Sequence, residues 1–136
     1  MNNKFYESFG HAKTRLRYHI IFSTKYRRNC LSMIRDIVLN AFRQAEMNSK
    51  ISILEMEIDK DHIHFMMMIP PSISISDAIM HLKQQSTYLI YQNQYAQMHL
   101  KKFYWNKQLL WTHGYFCATI GAVSEETLRY YIENQG

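Results

Sequence analysis

The chain has 136 residues, 47% of them hydrophobic and 14% aromatic, enough for a single domain (1–136) with its own core. Its formal net charge is +5 and its pI about 9.2, which leans towards a polyanionic partner. No apolar run approaches the ~20 residues a membrane helix needs, which excludes that class. Residues 1–17 are polar and charged, so no signal peptide is expected and the cytoplasm is the expected compartment. There Cys30 and Cys117, far apart and outside any C-x-x-C motif, read as reduced packing residues.

Arg15 to Thr24 (RLRYHIIFST) is rich in β-branched and aromatic residues and predicts a strand. Leu31 to Asn48 carries Ile34, Ile37, Val38, Ala41, Phe42 and Ala45 at helical spacing, which predicts an amphipathic helix. Ile51 to Ile58 alternates as a strand, Asp59-Lys60-Asp61 reads as a turn, and His62 to Ile69 as the next strand, ended by Pro70-Pro71. Ser76 is expected to cap a second helix, with Asp77 in its first turn and Ile79, Leu82, Leu89 and Ile90 along it. From Tyr91 to Leu110 the periodicity is weak and the composition basic, so that segment reads as irregular. Tyr115 to Gly121 predicts a fourth strand, and Ser124 is placed to cap a last helix with Glu125 and Glu126 in its first turn.

The order β-α-β-β-α-β-α predicts an α+β, ferredoxin-like antiparallel sheet with helices on one face, followed by a C-terminal helix. Side chains at i and i+2 of a strand share a face. Ile63, Phe65, Met67 and Ile69 make the better core face of the third strand, so His62 and His64 should project together from the other. Met66 and Met68 share the histidine face, which suggests that it too is partly covered.

Tyr131 and Gln135 stand four apart in a helical pattern and so lie one turn apart on one face. A histidine pair, an amide oxygen and a phenol can form a metal site beside a nucleophile, a combination suited to phosphoryl transfer. Each element also has a plainer reading. An H-x-H pair suits a surface strand with local hydrogen bonds, Tyr131 is one of ten tyrosines, and Gln135 could simply be solvated. Glu57, Asp59 and Asp61 lie close enough in sequence to orient a histidine, although Asp59 and Asp61 read more simply as a solvated turn.

The segments YHIIFSTKYRR, DHIHFMM, LWTHGYFCATIG and YIENQ occur here in the order that characterises one family. From about Tyr18 to Gln135 the chain resembles the HUH (histidine, hydrophobe, histidine) single-tyrosine transposases of IS200-like insertion sequences, the TnpA type. The resemblance implies that Tyr131 is the catalytic nucleophile and that His62, His64 and Gln135 bind a divalent metal. Tyr130, with Asn134 rather than glutamine four residues on, is set aside for packing or a DNA contact. Two imidazoles and an amide oxygen make Mn²⁺ at least as comfortable as Mg²⁺. The resemblance further implies cleavage and rejoining of single-stranded DNA through a 5′-phosphotyrosine and recognition of hairpins at the element ends. It also implies a homodimer whose last helix places Tyr131 beside the histidines of the other subunit.

Lys13, Arg15, Arg17, Lys25, Arg27 and Arg28 flank the first strand, and Lys101, Lys102 and Lys107 interleave with Phe103, Tyr104, Trp105 and Trp111. Such interleaving suits single-stranded DNA, where bases stack and phosphates need cations, although a solvated basic surface over core aromatics has the same composition. Arg15, Arg17, Lys25, Arg27, Arg28, Lys83, Lys101 and Lys102 are the candidate DNA contacts. Two other readings stay open: a domesticated, repeat-associated HUH tyrosine endonuclease, and a non-catalytic ferredoxin-like RNA-binding domain. The second would need exposed aromatics on its central strands, where this chain carries histidines and methionines. A two-histidine-motif phosphoesterase would need a second H-x-[ST] motif, and none is present.

Overall fold

A computed structural model of the chain describes residues 16–120. Strands β1 (Arg17–Ser23), β2 (Ser52–Ile58), β3 (His62–Met68) and β4 (Phe116–Thr119) form one antiparallel sheet in the order β2-β3-β1-β4. Helix α1 (Arg35–Met47) joins β1 to β2, and α2 (Ile75–Gln92) follows β3. β1 and β2 thus run parallel with β3 between them, which is the split βαβ of the expected ferredoxin-like fold. The C-terminal helix expected over 124–135, with Tyr131 and Gln135, lies outside the described residues, as does Arg15.

Strand periodicity builds the core. Ile20 and Phe22 of β1 and Ile63, Phe65 and Met67 of β3 are all fully buried and pack against Val38, Phe42 and Ala45 of α1 and Ile79, Leu82 and Ile90 of α2. Phe65 receives Phe22 and Phe42 nearly edge-on, at ring-centroid distances of 5.0 and 4.8 Å, the geometry that sets a ring's positive edge against a negative face. Burying each such ring stabilises the sheet–helix layer by roughly 1.5–3 kcal/mol.

Three local expectations are corrected. The first helix does not start at Leu31: a 3-10 turn over Ser32–Ile34 comes first and α1 begins at Arg35. Ser74, not Ser76, caps α2, its Oγ accepting from the Asp77 N–H at 3.0 Å. The cap bond spans three residues, so the serine three before Asp77 makes it, and Ser76 falls inside the first turn. Finally, the segment from Tyr91 to Leu110, which the sequence predicts to be irregular, contains helix α3 (Gln94–Tyr104), capped by Asn93, whose Oδ1 accepts from the Ala96 N–H at 2.9 Å. Its buried stripe is short, Ala96, Leu100 and Tyr104 at intervals of four with the polar His99 beside them, and basic and aromatic residues around it masked the period.

Candidate active site

The face of the sheet away from the helices carries the histidines. The β1–β3 register sets Ser23 opposite His62, Ile21 opposite His64 and His19 opposite Met66, so these side chains share that face. The rings of His62 and His64 lie 4.7 Å apart with planes at 66°. His64 is only 5% exposed and Met66 1%, the latter packed with Leu54 and Ile120. The histidine face is therefore covered around Met66 and open nearer His62, which is half-buried.

Each imidazole has its Nδ1 engaged. His62 Nδ1 lies 2.7 Å from Asp61 Oδ1, and Asp61 Oδ2 accepts from Arg27 Nε at 3.1 Å. Asp61 is thus the carboxylate that orients His62, although in the sequence it reads more simply as part of a solvated turn. Burial works to raise the Asp61 pKa, but hydrogen bonds from His62 and Arg27 outweigh it and hold the carboxyl below its usual range. Asp59 lies farther off, its Oδ2 3.9 Å from His62 Nε2, while its Oδ1 accepts from the Lys60 N–H. Glu57 pairs with His64 across β2 and β3 but is exposed.

His64 Nδ1 lies 3.3 Å from Nε2 of His19, a fully buried residue. His64 Nε2 is buried without a hydrogen-bond partner. Burial pushes the His64 pKa down to about 4, with His62 and His19 adding to the effect, so the ring is neutral at pH 7. A neutral imidazole with one nitrogen already bonded and a bare nitrogen in a dry site is the form that ligates a metal. The donor set fits a divalent ion in this respect and is incomplete in another. Among the described residues no group of three His, Cys, Asp or Glu side chains is arranged to hold a metal. Two imidazoles need a further ligand, and the expected one, Gln135, lies outside the described residues.

The candidate DNA contacts occupy different settings. Lys25, Arg27 and Arg28 sit on the turn after β1, where Tyr26 (φ 61°) and Arg27 (φ 51°) both adopt the left-handed region that non-glycine residues avoid. Bonds from outside the turn help to hold it: Tyr104 Oη donates to the Lys25 carbonyl at 2.8 Å and the Lys25 N–H to that of Leu110 at 2.7 Å, while within it the Thr24 hydroxyl donates to the Arg28 carbonyl at 2.8 Å. The turn presents Tyr26, 62% exposed, flanked by the Lys25 and Arg28 cations at 5.7 and 5.8 Å from its ring centroid. Lys101 and Lys102 are exposed in the last turn of α3, beside exposed Trp105. Lys83 is placed otherwise. Its Nζ donates to the carbonyls of Thr112, His113 and Gly114 at 2.8, 2.9 and 2.9 Å, which uses all three of its donors within the fold. Arg17 is half-buried on β1, with Nη1 buried and unpartnered. His19 and Tyr26 were not singled out in the sequence. The parity that puts His19 on the histidine face was legible, but its approach to His64 depends on a strand register that no local signal fixes.

A family model described as "Transposase IS200 like" matches residues 12–135. The transposase of insertion sequence element IS200 from Salmonella typhimurium is 32% identical over 130 residues, covering 95% of this chain and 82% of that protein. The ISDra2 transposase TnpA of Deinococcus radiodurans is 27% identical, covering 88% of this chain and 84% of that one. A crystal structure of a candidate transposase from Deinococcus radiodurans superposes with a TM-score of 0.66 at 30% identity, covering 88% of this chain and 90% of that chain. A REP-associated tyrosine transposase bound to a REP hairpin shares the fold at a TM-score of 0.59 and 11% identity, covering 88% of this chain and 64% of its own. With its sheet, its paired histidines and these matches, the chain belongs to the IS200-like transposase family.

Proposed function

We propose that the protein cleaves and rejoins single-stranded DNA at insertion-sequence ends through a covalent 5′-phosphotyrosine on Tyr131. His62, His64 and Gln135 would hold a Mg²⁺ or Mn²⁺ ion. The observation that carries this reading is the histidine pair itself: each Nδ1 is engaged, and His64 Nε2 is buried and bare. A divalent ion held there supplies Lewis-acid polarisation of the scissile phosphate. The Tyr131 phenolate oxygen attacks phosphorus, the bond to the 3′ oxygen breaks, and that oxygen leaves as a 3′-OH after taking a proton. One phosphodiester replaces another, so rejoining by the reverse attack needs no ATP. Lys25, Arg27, Arg28, Lys101 and Lys102 supply phosphate contacts, and the Arg27–Asp61 bond sets the basic turn directly beside His62.

The hairpin in the REP-associated structure supports a hairpin substrate on this fold. Identities of 32% and 27% to insertion-sequence transposases favour element ends over chromosomal repeats. The proposed assembly is a homodimer with its active sites completed in trans.

The test is an oligonucleotide carrying an element-end hairpin and a single-stranded flank, incubated with Mn²⁺. The protein should cut one strand and become covalently attached to the 5′ side. Tyr131→Phe should bind the hairpin and form no adduct. Undiminished cleavage in EDTA overturns the metal reading, and adduct formation by Tyr131→Phe but not by Tyr130→Phe overturns the choice of nucleophile.

A further inference from the structure

We propose that His19 is the positioning residue for the metal-binding nitrogen of His64, an inference that rests on the metal reading above. Its Nε2 accepts the Nδ1–H of His64 and thereby fixes the tautomer that leaves His64 Nε2 bare. The two nitrogens are 3.3 Å apart, although the residues are separated by 45 positions in the chain. The rings are close to parallel, at 14°, with centroids 5.5 Å apart. That separation is too long for face-to-face contact, and it suits two imidazoles meeting edge to edge through one hydrogen bond.

The chemistry follows from proton counting. A neutral imidazole has one N–H and one lone pair. Where two neutral rings meet nitrogen to nitrogen, one must donate and the other accept. If His64 accepted at Nδ1, its proton would sit on Nε2 and block the coordinating atom. With His64 donating from Nδ1, His19 offers the lone pair of Nε2 and keeps its own proton on Nδ1.

The two histidines of the pair are therefore oriented by different means. His62 leans on the Asp61 carboxylate near the surface, where an anion is tolerated and Arg27 balances it. His64 lies deeper, where an isolated carboxylate would carry a large desolvation cost. A neutral imidazole orients the ring there without adding charge. Phe116 of β4 lies 5.7 Å from the His19 ring, edge-on, and limits its rotation.

The test measures Mn²⁺ affinity of the full chain, by the loss of the free-ion EPR signal, beside metal-free hairpin binding and far-UV circular dichroism. His19→Leu and His19→Met both remove the acceptor at similar volume. Each should weaken Mn²⁺ binding by about 10–100-fold with hairpin binding and fold unchanged. His19→Gln, whose amide oxygen can accept the same proton, should recover most of the loss. Wild-type affinity in a folded His19→Leu or His19→Met, together with loss in His64→Ala, overturns the proposal and leaves the metal reading intact. Wild-type affinity in His64→Ala overturns the metal reading itself. Should neither apolar variant fold, long-range ¹H–¹⁵N NMR of the metal-free wild type decides: a proton on His64 Nδ1 supports the proposal, and a proton on Nε2 overturns it.

Discussion

Asp61 takes the Nδ1 edge of His62 at 2.7 Å, and that contact leaves Nε2 as the nitrogen open to a ligand. The same carboxylate holds Arg27 at 3.1 Å, so one side chain couples the histidine pair to the basic turn after β1. Asp61→Ala should lower Mn²⁺ affinity and nicking by about 10–100-fold, with hairpin binding reduced far less. Arg27 is exposed, so Arg27→Ala should cost stability no more than about 1 kcal/mol. Its effect should fall on DNA, reducing the salt dependence of hairpin binding by about one unit of slope. Unchanged Mn²⁺ affinity in Asp61→Ala would show that the turn, not the carboxylate, positions His62.

The pH dependence of stability has a definite sign. His64 is depressed to about 4 in the fold against 6.5 for an ordinary histidine. Between those values the unfolded chain binds the proton and the folded chain does not, so stability rises with pH across the window. This contribution is fully present above pH 6.5 and is lost as pH falls towards 4. Scanning calorimetry of the metal-free protein should show Tm falling through that range, and His64→Gln should flatten the fall. An identical slope in the variant would assign the acid sensitivity to other groups.

Lys83 distinguishes a structural lysine from a phosphate contact. Its ammonium is committed to three carbonyls of residues 112–114, and burial draws its pKa below the ordinary lysine range. Lys83→Met leaves those carbonyls without their donor and should cost about 1–3 kcal/mol in urea denaturation. The salt slope of hairpin binding should not change. A slope reduced by about one, with stability intact, would return Lys83 to the DNA interface.

What could be read from the sequence follows from how local each signal is. Alternation in β2, the two-residue spacing of His62 and His64 and helical spacing in α1 are properties of single segments, so the sheet, its topology and the shared face of the two histidines were legible. The α2 boundary was misplaced by two residues because Ser74 and Ser76 are both good caps and only the fold selects between them. Helix α3 was hidden because a short buried stripe among lysines and tyrosines resembles a basic loop. The His19–His64 and Lys83–carbonyl contacts join residues 45 and about 30 positions apart. They arise from register and packing, which no local pattern encodes.

Trans assembly is the sharpest consequence of the proposed mechanism. The sequence predicts a helix from Ser124 to Gln135, which would span about three turns, and an isolated helix below ~12–15 residues is marginal in water. Such a helix would have to dock to bring Tyr131 to a phosphate, against either its own histidines or those of a second copy. His64→Ala and Tyr131→Phe chains, each inactive alone, decide between them when co-refolded at equal amounts. If the helix acts in trans, each heterodimer joins one intact histidine pair to one intact tyrosine. Random pairing makes half the dimers mixed, each with one working site of two, so about a quarter of wild-type nicking should return. If the helix acts in cis, every subunit keeps its own lesion and the mixture stays inactive. Covalent labelling adds a second readout, since in trans the adduct must form only on the His64→Ala chain, whose tyrosine is intact. Activity restored with the adduct on any other chain would contradict the trans arrangement.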